Sequence, residues 1–278
     1  MRIGFVTNSG YENRKLCEAA REIGEAVLVN PGELFYKLAG NNTKIYQSGD
    51  ELNLDLMVIR LVSGNARSIL GKVTARMNLN REPAARFKTG GIPKINSELN
   101  RELSEPNHPV SYVCFSPTSY QANKQHIQFP VIYKPQKGRH GEGIVLFNTV
   151  DELDVWQWGK TISEDKPLFL QEFIQNIIRE YRVYLVNNQV VNWVKKYRAP
   201  ETRKLFKGRR FDAVDLPDDV RIYCEQHARP GMVGLDIVKT REGDLFIIEQ
   251  NRAPEWERTD TATNKNTARK VLEAMING

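Results

Sequence analysis

The residues best placed for chemistry lie near the end of the chain, in GLDIVKTREGDLFIIEQNRAP, from Gly234 to Pro254. A two-residue turn centred on Glu242 and Gly243 pairs Arg241 with Asp244. Counting back along the two arms then sets Asp236 opposite Glu249. Opposed residues on a hairpin share a face, with Cβ atoms about 5 Å apart. Asn251, two residues past Glu249, points to that same face. Apolar Ile237, Val238 and Ile248 surround the trio. Two facing carboxylates repel, and without compensation one takes up a proton. A hard cation resolves the conflict: Mg²⁺ takes oxygen ligands and completes its shell with water and phosphate oxygens. The trio therefore reads as a magnesium–nucleotide site. The competing reading is an exposed sheet face carrying ordinary polar residues.

Two basic features accompany it. KPQKGRHGEG runs from Lys134 to Gly143 between two apolar segments. Glycines there let the backbone approach a ligand and point N–H groups at phosphate oxygens. The Walker order is absent and no helix opens directly after the loop, so neither a P-loop nor a dinucleotide fingerprint fits; a plain hairpin connection is the alternative. Further on, Lys195, Lys196, Arg198, Arg203, Lys204, Lys207, Arg209 and Arg210 cluster with Glu201 as their one acid. Such a run can neutralise a triphosphate or track a nucleic acid, or it can be a solvated loop. Arg182 differs from these, because it lies inside an apolar segment beside Glu180, and an arginine there needs a partner.

These groups need elements to hold them. Arg2–Thr7, Ala26–Val29 and Asp55–Val62 read as strands and Glu12–Ile23 as a helix ended by Gly24, a rhythm that predicts a parallel α/β unit. Gly91–Ser97 reads as its last strand. Pro106, Pro109 and Pro117 break up the following stretch, in which SYVCF is a candidate strand. From residue 130 the pattern changes to strands FPVIYKP, IVLF and LFLQEFI. Thr149 and Glu152 offer a capping box for a helix holding Leu153, Val155 and Trp156. Tyr181–Val186 and Gln189–Tyr197 form a hairpin around Asn187-Asn188. Met232–Val238 and Leu245–Gln250 form another, with helices at Asp215–His227 and Thr267–Met275.

The chain has 278 residues, 40% hydrophobic and 27% charged, enough for two or three compact units. No apolar run is long enough to span a membrane. The N-terminus lacks the features of a signal peptide, and Cys17, Cys114 and Cys224 show neither zinc spacing nor a disulfide framework; the expectation is a cytoplasmic protein. The net charge of +6 permits a polyanionic partner without demanding one.

Taken together, PVIYKPQKGRHGEGI, LFLQEFI, REYRVYLVNNQVV and GLDIVKTREGDLFIIEQNRAP resemble the ATP-grasp superfamily, specifically its RimK-like carboxylate–amine ligases, from about Pro130 to Glu257. The terminal D…E-x-N-x-x-P pattern is the most specific part. The resemblance implies an α/β and α+β chain: an N-terminal Rossmann-like (pre-ATP-grasp) domain over 1–97, a small subdomain over 98–166 and a C-terminal subdomain over 167–278. Asp236, Glu249 and Asn251 would hold Mg²⁺, with Mn²⁺ as a substitute. Lys134 would contact phosphate, and Lys137, Gly138, Arg139, His140, Gly141 and Gly143 would fold over it. Gln171, Glu172, Phe173 and Ile174 would form the adenine edge. Glu180 would lie near the ribose, Arg182 near phosphate or substrate, and Lys195 and Arg203 would supply further cationic contacts. Arg182 and Asn251 would serve catalysis.

The implied chemistry needs no enzyme nucleophile. A substrate carboxylate attacks the γ-phosphorus of ATP, and an amine then displaces phosphate from the acyl phosphate, which asks the protein for positioning and charge neutralisation. Substrates would be small molecules or peptides bearing the carboxylate and the amine, and self-association is common in the family. The sequence departs from the pattern in places. Lys124 matches poorly the lysine of the helix that precedes the FPVIYKP strand in the family, KLFKGRRFDAV replaces an asparagine-and-glycine stretch, and Arg252 and Glu255 stand where small residues are usual. Two other classes remain open: a kinase on this fold that stops at phosphoryl transfer, and a non-catalytic nucleotide- or nucleic-acid-binding protein.

Overall fold

The structure is a computed structural model. It describes residues 1–6, 10–30, 33–37, 44–59, 107–135, 143–157, 160, 162–163, 166–197, 210–228, 231–251 and 254–277. The expected strand at Gly91–Ser97 and the site residues Lys137, Gly138, Arg139, His140, Gly141 and Arg203 lie outside them.

The chain opens with β1 (Arg2–Val6), helix α1 (Tyr11–Ile23) and β2 (Glu25–Val29), and β6 (Leu56–Ile59) completes a parallel sheet of order β2-β1-β6. Leu16, Ala19 and Ala20 recur at helical spacing on α1 and are buried. Gly24 ends the helix in extended backbone. It must be glycine because a Cβ there would stand 2.1 Å from the Met1 carbonyl oxygen. A small antiparallel sheet of β3 (Leu34–Lys37), β4 (Lys44–Gln47) and β5 (Asp50–Glu51) was not expected. Its β4–β5 turn is Ser48-Gly49, both at positive φ, the local signal that marks such a hairpin.

A second sheet holds β7 (Ser111–Cys114), β8 (Val131–Tyr133), β9 (Val145–Phe147) and β10 (Leu168–Glu172) in the order β7-β10-β8-β9, all antiparallel. Helices α2 (Pro117–Asn123) and α3 (Val150–Gln157) share its core, where Tyr120, Leu153 and Leu170 are fully buried. The Thr149 hydroxyl accepts from the Glu152 N–H at 3.3 Å; the Glu152 carboxylate reaches back to the N–H of Asn148, one residue further than a standard capping box. A boundary at 166/167 would assign β10 to the next unit. Instead, β10 lies between β7 and β8, because its apolar Leu168 and Leu170 fill that core.

The third sheet runs β13-β12-β11-β14-β15, from β11 (Ile177–Val186), β12 (Gln189–Tyr197), β13 (Arg210–Asp212), β14 (Met232–Thr240) and β15 (Leu245–Asn251). Helix α4 (Asp218–His227) starts three residues later than expected, since Leu216 precedes Pro217 and such a residue is kept out of helical backbone. One face of the sheet offers Val183, Leu185, Leu235, Ile237 and Ile247 to Val220 and Cys224 of α4. The other receives α5 (Glu257–Thr263), which was not expected, and α6 (Thr267–Asn277). On that side Tyr184, Val186, Trp256, Val271 and Leu272 join Ile3, Phe5 and Leu16 of the first unit in one core. Among the described residues no helix is long and apolar enough to cross a membrane.

Candidate active site

Asp236 stands directly opposite Glu249, and Gly234 opposite Asn251. The count that predicts the acid pair assumes a two-residue turn. The connection is longer: Thr240 and Asp244 close it around three residues, with Gly243 at φ 98°. That shifts the register by one, and an extra residue in β15, Ile248, shifts it back between Asp236 and Ile237. Pairs share a face, so Asp236, Glu249, Gly234 and Asn251 lie on the same side. Gly234 is required there because Pro254, just past Asn251, folds over it; a Cβ would meet Pro254 Cβ at 2.6 Å.

The adjoining strands add three more groups to that face. Arg182 lies opposite Asp236 and Glu180 opposite Lys196. Arg182 donates from Nε and Nη2 to the two oxygens of Asp236, each at 2.7 Å. Lys196 Nζ lies 2.7 Å from Asp236 Oδ2 and 2.7 Å from Glu180 Oε1. The side chains of Lys196, Asp236 and Glu180 are 1%, 3% and 3% exposed, and that of Arg182 is 19% exposed. Burial penalises the Asp236 charge, but Arg182 and Lys196 outweigh it and hold the carboxyl well below the usual carboxylate range. Burial likewise opposes the Arg182 charge, and Asp236 outweighs it, with Glu249 adding to the same direction. Arg182 thus has the partner that its apolar strand demands, and Asp236 is ionised at any physiological pH.

The second sheet contributes Lys134 from the end of β8. Its buried ammonium donates to Gln171 Oε1 and to the Ile248 carbonyl at 3.4 Å, which ties it to the bulge next to Glu249. Gln171 in turn donates to Ser111 Oγ at 3.1 Å. The other adenine-edge candidates lie further along the same strand: the N–H groups of Glu172 and Phe173 are committed to the Val110 and Pro130 carbonyls, and Ile174 is buried. Glu172 and Phe173 also line a shallow depression with Tyr112, Phe129 and Pro130. Glu172 follows Gln171 on β10, so the two side chains leave opposite faces of the strand. Gly143, where the glycine loop rejoins described chain, has φ 76°.

Two of the expected contact residues have partners within the protein. Glu180, expected near a ribose, is buried against Lys196. Lys195 points away from the cluster and stacks over the Tyr197 ring at 4.1 Å, whereas Lys196 joins it. A straight count from the Asn187-Asn188 turn would pair Glu180 with Lys195. An extra residue in β12, between the partners of Tyr184 and Leu185, moves the pairing to Lys196 and flips the faces. The available signal for Lys196 was Glu180, an acid inside an apolar strand that calls for a facing cation, but nothing local says which lysine supplies it.

A family model for the RimK-like ATP-grasp domain matches residues 104–275, spanning both the second and third sheets. The chain belongs to the RimK-like ATP-grasp family. It is an ATP-grasp ligase, of the class that forms carbon–nitrogen bonds. A probable alpha-L-glutamate ligase from Syntrophotalea carbinolica is 25% identical over 288 residues, covering 98% of this chain and 94% of that one. Another of that name, from Nitrosococcus oceani, is 28% identical over 302 residues, with 98% and 94% covered. Among solved structures, the ATP-grasp ligase PsnB complexed with a phosphomimetic variant of minimal precursor, Mg and ADP gives a TM-score of 0.71 at 16% identity, covering 99% of this chain and 97% of that one. A RimK domain ATP-grasp protein from Sphaerobacter thermophilus gives 0.63 at 19% identity, covering 99% and 100%.

Within this ATP-grasp chain, Lys124 does not reach the acids. It lies in the 3₁₀ turn after α2, bound to Asp154 at 2.5 Å, and Tyr120 donates to the same carboxylate at 2.9 Å.

Proposed function

We propose that the chain uses ATP and Mg²⁺ to activate a substrate carboxylate as an acyl phosphate and joins it to the amine of glutamate, the acceptor being a peptide or a peptide-like acid. The observation that carries this reading is the cross-strand pair Asp236–Glu249, with Asn251 beside it and Arg182, Lys196 and Lys134 around it. Two carboxylates and an amide are an all-oxygen donor set, which suits a hard divalent ion better than a soft one. Mg²⁺ bound there would neutralise charge on the transferring phosphoryl group. Arg182 and Lys134 would bind phosphate oxygens, and Asn251 would orient the group between them. None of these residues needs to act as a nucleophile, since the substrate's own carboxylate attacks. The choice of glutamate rests on the full-length relatives named glutamate ligases, and the peptide acceptor on solved ligases complexed with precursor peptides.

The test is an ADP-release assay with glutamate and a panel of acidic peptides and small acids, each alone and paired. A ligase releases ADP only with both partners present, and the product gains one glutamyl residue by mass spectrometry. ADP release with the acid alone, giving a stable phosphorylated product that glutamate and other amines leave untouched, would replace this reading with a kinase.

A further inference from the structure

Both oxygens of Asp236 are engaged by cations: Oδ1 by Arg182, Oδ2 by Arg182 and by Lys196. A divalent ion shared between Asp236 and Glu249 must approach against two positive charges already on that carboxylate. The two cations are held differently. Lys196 is enclosed and fixed between Glu180 and Asp236, whereas Arg182 is partly open and also feels Glu249. A third cation, Lys134, reaches the bulge carbonyl beside Glu249.

We propose that Arg182 and Lys196 close Asp236 to a bare divalent ion, so that metal binds only together with a phosphate-bearing nucleotide. The polyphosphate draws the Arg182 guanidinium off Asp236 and supplies the negative charge that the ion needs beside Lys196. Lys196 is the positioning residue of this device: held by Glu180, it occupies Oδ2 of Asp236 and so denies that oxygen to metal alone while aiming the carboxylate at Glu249. The inference rests on the reading of Asp236, Glu249 and Asn251 as metal ligands. It adds an order to the binding and a role for a lysine that touches neither end of the substrate.

The test uses Mn²⁺ as probe and ADP as nucleotide. Water-proton relaxation enhancement separates protein-bound Mn²⁺ from Mn²⁺ on free nucleotide. The wild-type chain should bind Mn²⁺ at least roughly tenfold more weakly without ADP than with it. Arg182→Gln, and the double variant Glu180→Gln/Lys196→Met that removes the buried pair without orphaning a charge, should each tighten ADP-free Mn²⁺ binding by roughly tenfold. A merely structural role for these cations would weaken Mn²⁺ binding or leave it alone; only release of Asp236 tightens it. Equal wild-type affinity with and without ADP overturns the proposal. So does unchanged ADP-free affinity in both variants while Asp236→Asn abolishes the ADP-dependent binding. If Asp236→Asn instead keeps full ADP-dependent Mn²⁺ binding, the metal reading itself is wrong.

Discussion

The two hairpins of the five-stranded sheet solve the same problem with opposite consequences for anyone counting along the chain. In β14–β15 a three-residue loop displaces the register by one and the bulge at Ile248 restores it, so Asp236 still meets Glu249. In β11–β12 the turn is the two-residue Asn187-Asn188 type, and the bulge is uncompensated, so Glu180 meets Lys196 and not Lys195. Both bulges sit between the turn and the charged cluster. A bulge adds local twist and re-aims the side chains beyond it, which is why bulges gather beside active sites. Here they decide which lysine enters the site, and they put a main-chain carbonyl within reach of Lys134.

That comparison can be tested by substitution. Lys196→Ala should cost about 3–5 kcal/mol in urea denaturation, because it leaves Glu180 and Asp236 buried with less compensation. Asp236→Asn should lower turnover by roughly 10²–10³-fold, read as kcat under saturating substrates, while circular dichroism stays native. The same carboxyl shapes the acid response. Its folded pKa is depressed, so its contribution is complete above the unfolded value, about 3.9, and is lost only as pH falls towards the depressed value. Acid unfolding below about pH 4 should therefore be shallower in Asp236→Asn than in the wild type. Gly234→Ala should cost about 1–3 kcal/mol by pushing on Pro254. Asn188→Ala and Gly243→Ala, each at positive φ in one of the two turns, should each lower stability by about 1–2 kcal/mol. Lys195→Ala should change stability by less than about 0.5 kcal/mol, since the side chain is only partly buried and stacks on Tyr197. If Lys195 and Lys196 behave alike, the face assignment fails.

Much of this architecture was legible because its signals are local. Asn187-Asn188 tolerates positive φ and announces a tight hairpin, and alternating apolar residues mark β11, β12, β14 and β15 as two-faced strands. The unforeseen elements lacked such signals or had them in short form: β13 has three residues, and α5 is a seven-residue helix with a polar sequence, ERTDTAT. The allocation of β10 to the second sheet was also illegible, since an apolar strand carries no mark of which neighbour it will pair with. At the site, the demand that Arg182 find a buried partner was readable from its apolar surroundings, but the partner, 54 residues away, was not.

The sequence by itself determined the alternation that gives one sheet an apolar face and a charged one, the turns that fold its hairpins, and the presence of two acids and an amide at matched spacing. Those follow from backbone sterics and from side-chain period, which act over a few residues. Only the tertiary structure decided that Asp236 is clasped by Arg182 and Lys196 together, that Lys195 is turned away, and that Lys134 crosses from another sheet to the bulge. Register, bulge position and sheet-to-sheet approach depend on which packing buries the most surface without orphaning a charge, and that balance is struck over the whole molecule.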